Sequence, residues 1–331
     1  MRIAAVQQAG LGLIELMISI AIGLFILAGV LQLYATSSQN SSMVDGASSI
    51  QEHVRFLFSY IESDIANAGY AGCLNFKVDT NRIKNISTAT LNPSFIAGEF
   101  VTGTNDVSVN GKTFDQFIVR YAGSSKRVSV QQANSDNFVI SQNASSQFSQ
   151  GDVVLVGDCS GFGVFRVSNA PGASGVIEFK DGTYNSGTLD MSFSDENSIT
   201  PAVTYLYGDT GAFKYYIDTS TAGLAASATC SADNTQYCAL YRKSSASNTA
   251  DELVEGVTSF EVEYGWRDAA SGNLFFAHAG SVPSANWSSI DRIKIEATLS
   301  SRNKTPTNEG IDFIEKSYSR TFFFFNQIPG A

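Results

Sequence analysis

The stretch QAGLGLIELMISIAIGLFILAGVLQLY, residues 8–34, decides how the chain must fold. From Leu11 to Tyr34 it has no Lys, Arg, Asp or Pro. At ~1.5 Å rise per residue, those 24 residues reach across a bilayer core as a helix. One carboxylate, Glu15, sits near the front of the run. A lone acid at mid-membrane costs roughly 2.5 kcal/mol or more, so a partner must offset it. A cation at the same depth does this most cheaply, and a cut after Gly10 would supply one as a new amino terminus on Leu11.

Gly10, Leu11 and Glu15, followed by LMISIAIGLFILAGVLQLY, resemble the type IV pilin signature of leader, Gly, hydrophobic residue and Glu fifth in the mature chain. The resemblance implies cleavage between Gly10 and Leu11 by an inner-membrane prepilin peptidase and methylation of the Leu11 amine. It also implies a mature chain held by its helix until filament assembly. Arg2 is the only leader cation where family leaders are often more basic, and it lies on the side expected to stay cytoplasmic. Two plainer readings fit less well. A secretory signal peptide has a shorter apolar core and a small-x-small cut site. An ordinary signal anchor gives Glu15 no purpose.

The chain carries 21 basic and 31 acidic residues, a formal charge of −10. Removing Arg2 with a ten-residue leader leaves 20 against 31, or −11. Such a balance argues against a nucleic-acid groove across the body, and no direct nucleic-acid binding is expected. Lys126-Arg127 and Arg242-Lys243 read as solvated strand ends. No second long apolar run occurs, so the expectation is a single membrane pass with the bulk outside.

Beyond the apolar run, residues 35–49 are polar and include Gly46, a weak stretch for a helix. Periodicity then resumes at Ile50, Val54, Leu57, Ile61, Ile65 and Ala68, spaced by three and four. That is one apolar stripe on an amphipathic helix. The reading is a single helix over 11–68, bent or frayed near Gly46 and stopped by Gly69. The predicted organisation is leader 1–10, transmembrane helix 11–34, amphipathic continuation 35–68 and a β-rich domain 69–331; the sequence leaves open whether 74–235 holds an insertion.

A narrower resemblance, to PilW-type minor pilins, rests on three stretches. In residues 50–73, Gln51, Glu52, Arg55, Phe56, Asp64, Ile65, Ala68, Gly69, Tyr70, Gly72 and Cys73 match a Q-E-x-x-R-F pattern leading through D-I-x-x-A-G-Y to G-C. CALYRKSS and DELVEGVTSFEVEYGW (251–266) match L-Y-R, E-L-V-E-G-V and a Y-G strand end. Trp287 followed by IDRIKIEATLSSR matches a Trp and an alternating strand. Residues 74–235 match no pattern.

On its own chemistry the body is antiparallel β. Alternating or β-branched runs occur at Phe114–Tyr121, Asn137–Ser141, Asp152–Val156, Val164–Val167, Val203–Tyr207, Phe213–Ile217, Val257–Tyr264, Ile290–Leu299 and Arg320–Phe325. The four phenylalanines Phe322–Phe325 predict a strand covered on both faces, or one closing the sheet on the helix. The fold class is therefore α+β and type IV pilin-like, a long helix packed on a large antiparallel domain.

Four cysteines stand at 73, 159, 230 and 238, and the only histidines are His53 and His278. No CxxC occurs and zinc-type spacing is lacking, so no metal or cofactor is expected. An oxidising periplasm favours disulfides. Of three possible pairings, Cys230–Cys238 with Cys73–Cys159 is preferred, the first closing a short polar loop. No nucleophile elbow, P-loop or ligand cluster marks an enzyme, and Glu261 and Glu263 read as solvated neighbours on one strand face.

The resemblance implies a minor pilin that helps initiate a type IV pilus and form its tip, supporting twitching motility, adhesion or DNA uptake. The expected partners are prepilin peptidase, other minor pilins, the major pilin, the inner-membrane assembly platform and a tip adhesin. The expected location is a Gram-negative inner membrane with a periplasmic domain, then the pilus at the cell surface. The rival readings are a type II secretion pseudopilin and a membrane-anchored periplasmic binding module.

Overall fold

The apolar stretch and the amphipathic stripe form one helix, α1 (Leu13–Asn67), in the computed structural model of the chain. The structure describes residues 12–71, 74–75, 83–88, 100–123, 126–158, 161–180, 182–189, 193, 204–208, 211–222, 228–244, 250–268, 270–302, 304–307 and 310–325. Gly12 O accepts the first turn's bonds from Glu15 N–H (2.9 Å) and Leu16 N–H (3.2 Å). Ser19 Oγ donates to Glu15 O (2.7 Å), and Thr36 Oγ1 to Gln32 O (3.0 Å). These hydroxyls are thus satisfied by the helix's own carbonyls, as a segment away from water requires.

The expected fraying near Gly46 is not seen: residues 35–49 are helical throughout. One interior glycine costs about 1 kcal/mol. Extending an existing helix adds a hydrogen bond per residue, so flanking helix carries a weak stretch through.

The two ends of α1 meet different surroundings. Leu13, Phe25 and Tyr34 are 77%, 85% and 73% exposed, and the most apolar window of the helix is 0% buried. Ile50, Val54, Leu57, Ile61, Ile65 and Ala68 are all buried. Gly69 stops the helix at φ 76°, a left-handed conformation that only glycine adopts without strain. Its N–H donates to Arg120 O (2.9 Å), and Ala122 N–H donates to Tyr70 O (2.7 Å), so the turn after the helix joins a strand at once.

The chain forms two compact units. One comprises Met1–Gln51 with Ser301–Ile314, where Thr305–Thr307 pairs with Gly310–Asp312. The other comprises Glu52–Ser300 with Glu315–Ala331 and contains the main sheets.

The strands of two of these sheets are β1 (Val101–Val109), β2 (Lys112–Tyr121), β3 (Gly211–Thr219), β4 (Cys238–Ser244), β5 (Ala250–Glu255), β6 (Val257–Arg267), β7 (Leu274–His278), β8 (Ile290–Ser300) and β9 (Glu315–Phe323). The first five form an antiparallel meander in chain order. The others form a four-stranded antiparallel sheet ordered β7-β6-β8-β9.

A third, seven-stranded sheet is built from residues 83–85 and 127–207. All its pairings are antiparallel except Ile83–Asn85 with Phe162–Arg166. Its core includes Phe138, Phe165, Phe179, Ile177 and Leu206. In the meander Tyr121 faces Gly211 directly, so the chain leaves β2 and re-enters β3 at the same point.

Phe322–Phe325 are not covered on both faces. Phe322 and Phe324 are buried while Phe323 and Phe325 are exposed, the period-2 pattern of a half-covered strand. Phe322 reaches the helix residue Phe58 (ring centroids 5.9 Å), and Phe324 packs edge-on against Phe100 (5.2 Å).

Because Ile61 is fully buried and Phe56 is 48% exposed on the same helix, truncating them should have unequal effects. Ile61→Ala is expected to lower the unfolding free energy of the full chain in detergent by ~2–5 kcal/mol. Phe56→Ala should stay within about 0.5 kcal/mol. Denaturant unfolding followed by circular dichroism checks both.

Candidate functional site

Two carboxylates on α1 stand in opposite environments, and the contrast organises the functional surface. Glu15 is exposed in the apolar half, and no ion pair to it forms among the described residues. Gly10 and Leu11, the expected processing pair, lie outside the described residues.

Asp64, near the other end of α1, is buried. Its carboxylate accepts four hydrogen bonds: Tyr121 Oη and Tyr215 Oη at 2.7 Å each, Arg242 Nε at 2.7 Å and Arg242 Nη2 at 3.2 Å. The donors come from β2, β3 and β4, so one helical side chain ties three adjacent strands. Arg242 lies over the Phe213 ring (4.0 Å) and near that of Tyr60 (5.6 Å). A planar guanidinium suits such stacking and a two-pronged grip on a carboxylate.

Burial alone would lower the Arg242 pKa. The hydrogen bonds and charge of Asp64 outweigh it and hold the guanidinium well above its ordinary range. Tyr121 and Tyr215 are raised, first by burial and then by the charge of Asp64 and their bonds to it. The cluster thus holds a carboxylate, a guanidinium and two neutral phenols.

Reading Arg242-Lys243 as solvated strand ends is therefore wrong for Arg242. Adjacent residues of a strand point to opposite faces. Arg242 turns inward to Asp64, while Lys243 sits on the other face opposite Lys214. Arg127, in the other basic pair, is exposed at the start of its strand and lies over the Tyr205 ring (4.7 Å).

Cys230 and Cys238 are joined, with S–S 2.02 Å. Nearby, Glu252 accepts from Ser220 Oγ (2.6 Å), Thr221 N–H (2.7 Å), Thr221 Oγ1 (2.8 Å) and Tyr241 Oη (2.9 Å), securing the start of the β3–β4 connection. Cys73 and Cys159 lie outside the described residues.

Other motif residues have packing roles. Tyr264 stacks at a tilt on Trp287 (4.8 Å). A Cβ on Gly265 would fall 2.5 Å from Arg292 Cγ and 2.8 Å from Phe276 Cε1, so only glycine lets those side chains cross there. Glu263 is not simply solvated, because Lys294 Nζ donates to it at 2.7 Å. Glu261, half-buried, falls beside Asp115 and His278. Sequence spacing gave no sign of that group, since its members lie on three separate strands.

These features define a class of protein: a β-rich domain carried on a long helix whose N-terminal half is bare apolar surface. Residues 214–318 match the family model PilW, described as type IV pilus-assembly protein W, and the match supports a PilW-type component of the type IV pilus. The matched segment contains L-Y-R, E-L-V-E-G-V, Y-G and Trp287. No curated protein and no solved structure matches the chain significantly. With a single long apolar helix, near the N-terminus, among the described residues, the family match points to a membrane-anchored protein.

Removing one member of a buried, hydrogen-bonded ion pair leaves the other charge stranded. Asp64→Asn is expected to destabilise the fold by ~3–5 kcal/mol, measurable as a lowered denaturant midpoint. The tyrosines supply a pH test. Their native pKa values lie above the unfolded value of about 10. Their contribution is complete below about pH 10 and is lost as pH rises from there toward the native values. Stability curves from pH 9 to 12 should fall less steeply for Tyr215→Phe than for the wild type.

Proposed function

We propose that the chain is a minor pilin, a structural subunit that helps start a type IV pilus and form its tip complex. In this reading prepilin peptidase cuts between Gly10 and Leu11, and the Leu11 amine is methylated. The observation that carries it is the bare apolar face of α1 from Leu13 to Tyr34, with Glu15 as its one charge.

A surface this apolar needs lipid or like helices around it. In the membrane the helix anchors the subunit; in a filament it enters a bundle of sister helices. There Glu15 meets the free amine of a neighbouring subunit, and mutual neutralisation lowers the cost of both groups in apolar surroundings. Other minor pilins, the major pilin, the inner-membrane assembly platform and a tip adhesin are the partners this role implies. The subunit would wait in the inner membrane of a Gram-negative bacterium, its β domain in the periplasm, before reaching the surface. Twitching motility, adhesion or DNA uptake would be the outputs.

We further infer that residues 127–207, which supply six of the seven strands of the third sheet, are an insertion within 74–235. The direct pairing of Tyr121 with Gly211 supports this.

The test is Glu15→Ala in the native host. The variant should be processed and membrane-bound at wild-type levels yet at least about tenfold depleted from sheared pili. Wild-type abundance in pili would remove the pairing mechanism.

A further inference from the structure

At one edge of the four-stranded sheet the polypeptide gathers two carboxylates and an imidazole that nothing above uses. β7 ends at His278, opposite Glu263 of β6. Just past that end, the buried Asp115 of β2 takes the place of a pairing strand. Its Oδ2 accepts from Val262 N–H (2.8 Å), and its Oδ1 accepts from Asp106 N–H (3.1 Å). Asp106 lies in a register break of β1 and has φ 54°. His278 Nδ1 stands 3.3 Å from Asp115 Oδ2. Glu261 completes the group, and one ligand-type atom from each residue lies within 4.8 Å of the others.

Two buried polar atoms on β6 and β1 lack a partner among the described residues. Tyr264 is wholly buried, and its hydroxyl has no hydrogen-bond partner among the described residues. Asn105, beside Asp106 in the register break, also has a buried side-chain oxygen without a partner among the described residues.

We propose that Asp115, Glu261 and His278 bind one divalent transition-metal ion, with zinc the best match. One imidazole and two carboxylates form a borderline donor set that suits zinc. Calcium takes six to eight oxygens and does not favour imidazole. Two ligands 3.3 Å apart, each roughly 2.0–2.1 Å from zinc, subtend about 105–110°, close to tetrahedral. Glu261 and His278 are only partly buried, which leaves the fourth position open to water. The ion would staple β2 of the meander to β6 and β7 of the four-stranded sheet.

The experiment uses the full chain in detergent, stripped of metal, and titrates zinc chloride by calorimetry with thermal unfolding in parallel. One zinc per chain should bind, with a rise in Tm. Cobalt in its place should give the visible absorption of a tetrahedral site. Glu261→Gln and His278→Gln should each weaken zinc at least tenfold with unchanged circular dichroism and metal-free Tm. His53→Gln should bind as the wild type does. Absence of saturable one-to-one binding, undiminished affinity in the Glu261→Gln/His278→Gln double variant, or a response to calcium but not zinc would overturn the assignment. Asp115 is left intact because it also holds backbone N–H groups.

Discussion

From Leu13 to Tyr34 the large apolar side chains of α1 are exposed, and among the described residues nothing covers them. Bare apolar surface of this extent is not stable in water. The first constraint on the molecule is thus that its N-terminal half must be housed elsewhere. Helical geometry makes this feasible, since each backbone group is bonded within the segment and even Ser19 and Thr36 turn their hydroxyls back onto carbonyls. The one charged group left over is Glu15. The problem of the whole protein becomes what to do with one acid in apolar surroundings.

Asp64, on the same helix, shows how the fold treats an acid it can satisfy by itself. Four hydrogen bonds from three strands converge on it, and Arg242 supplies the opposite charge. A buried pair of this kind contributes less to net stability than to fixing one arrangement, because desolvation offsets much of the attraction. Here the arrangement is the register of α1 on the meander. Gly69, Tyr70 and the Phe58–Phe322 contact extend the same docking beyond the charge cluster. Asp64 is balanced from within the domain; Glu15 must be balanced from outside it.

What the sequence revealed follows from the range of the interactions involved. The two regimes of α1 were readable because apolar content and three-to-four spacing are local properties. The same holds for the glycine stop and most strands. Partners were not readable. Asp64 and Arg242 each lie in a quotable motif, yet 178 residues separate them, and nothing local says that they meet. Arg242 was misjudged because its neighbour Lys243 does face outward. Phe322–Phe325 looked uniformly apolar, but a strand exposes every second side chain. Asp115, Glu261 and His278 have no common spacing because three strands bring them together, and only the end of β7 makes room for them. Residues 74–213 match no pattern, and the seven-stranded sheet within them is visible only through its pairings.

The central claim is that the acid in the apolar helix is balanced by an amine that processing exposes nearby. Mass spectrometry of the native protein, recovered from the membrane of its host, tests this most directly. The polypeptide should begin at Leu11 and carry a methyl group on its terminal nitrogen. A chain still starting at Met1, or one starting beyond Tyr34, would contradict it, because no amine would then lie within reach of a neighbour's Glu15.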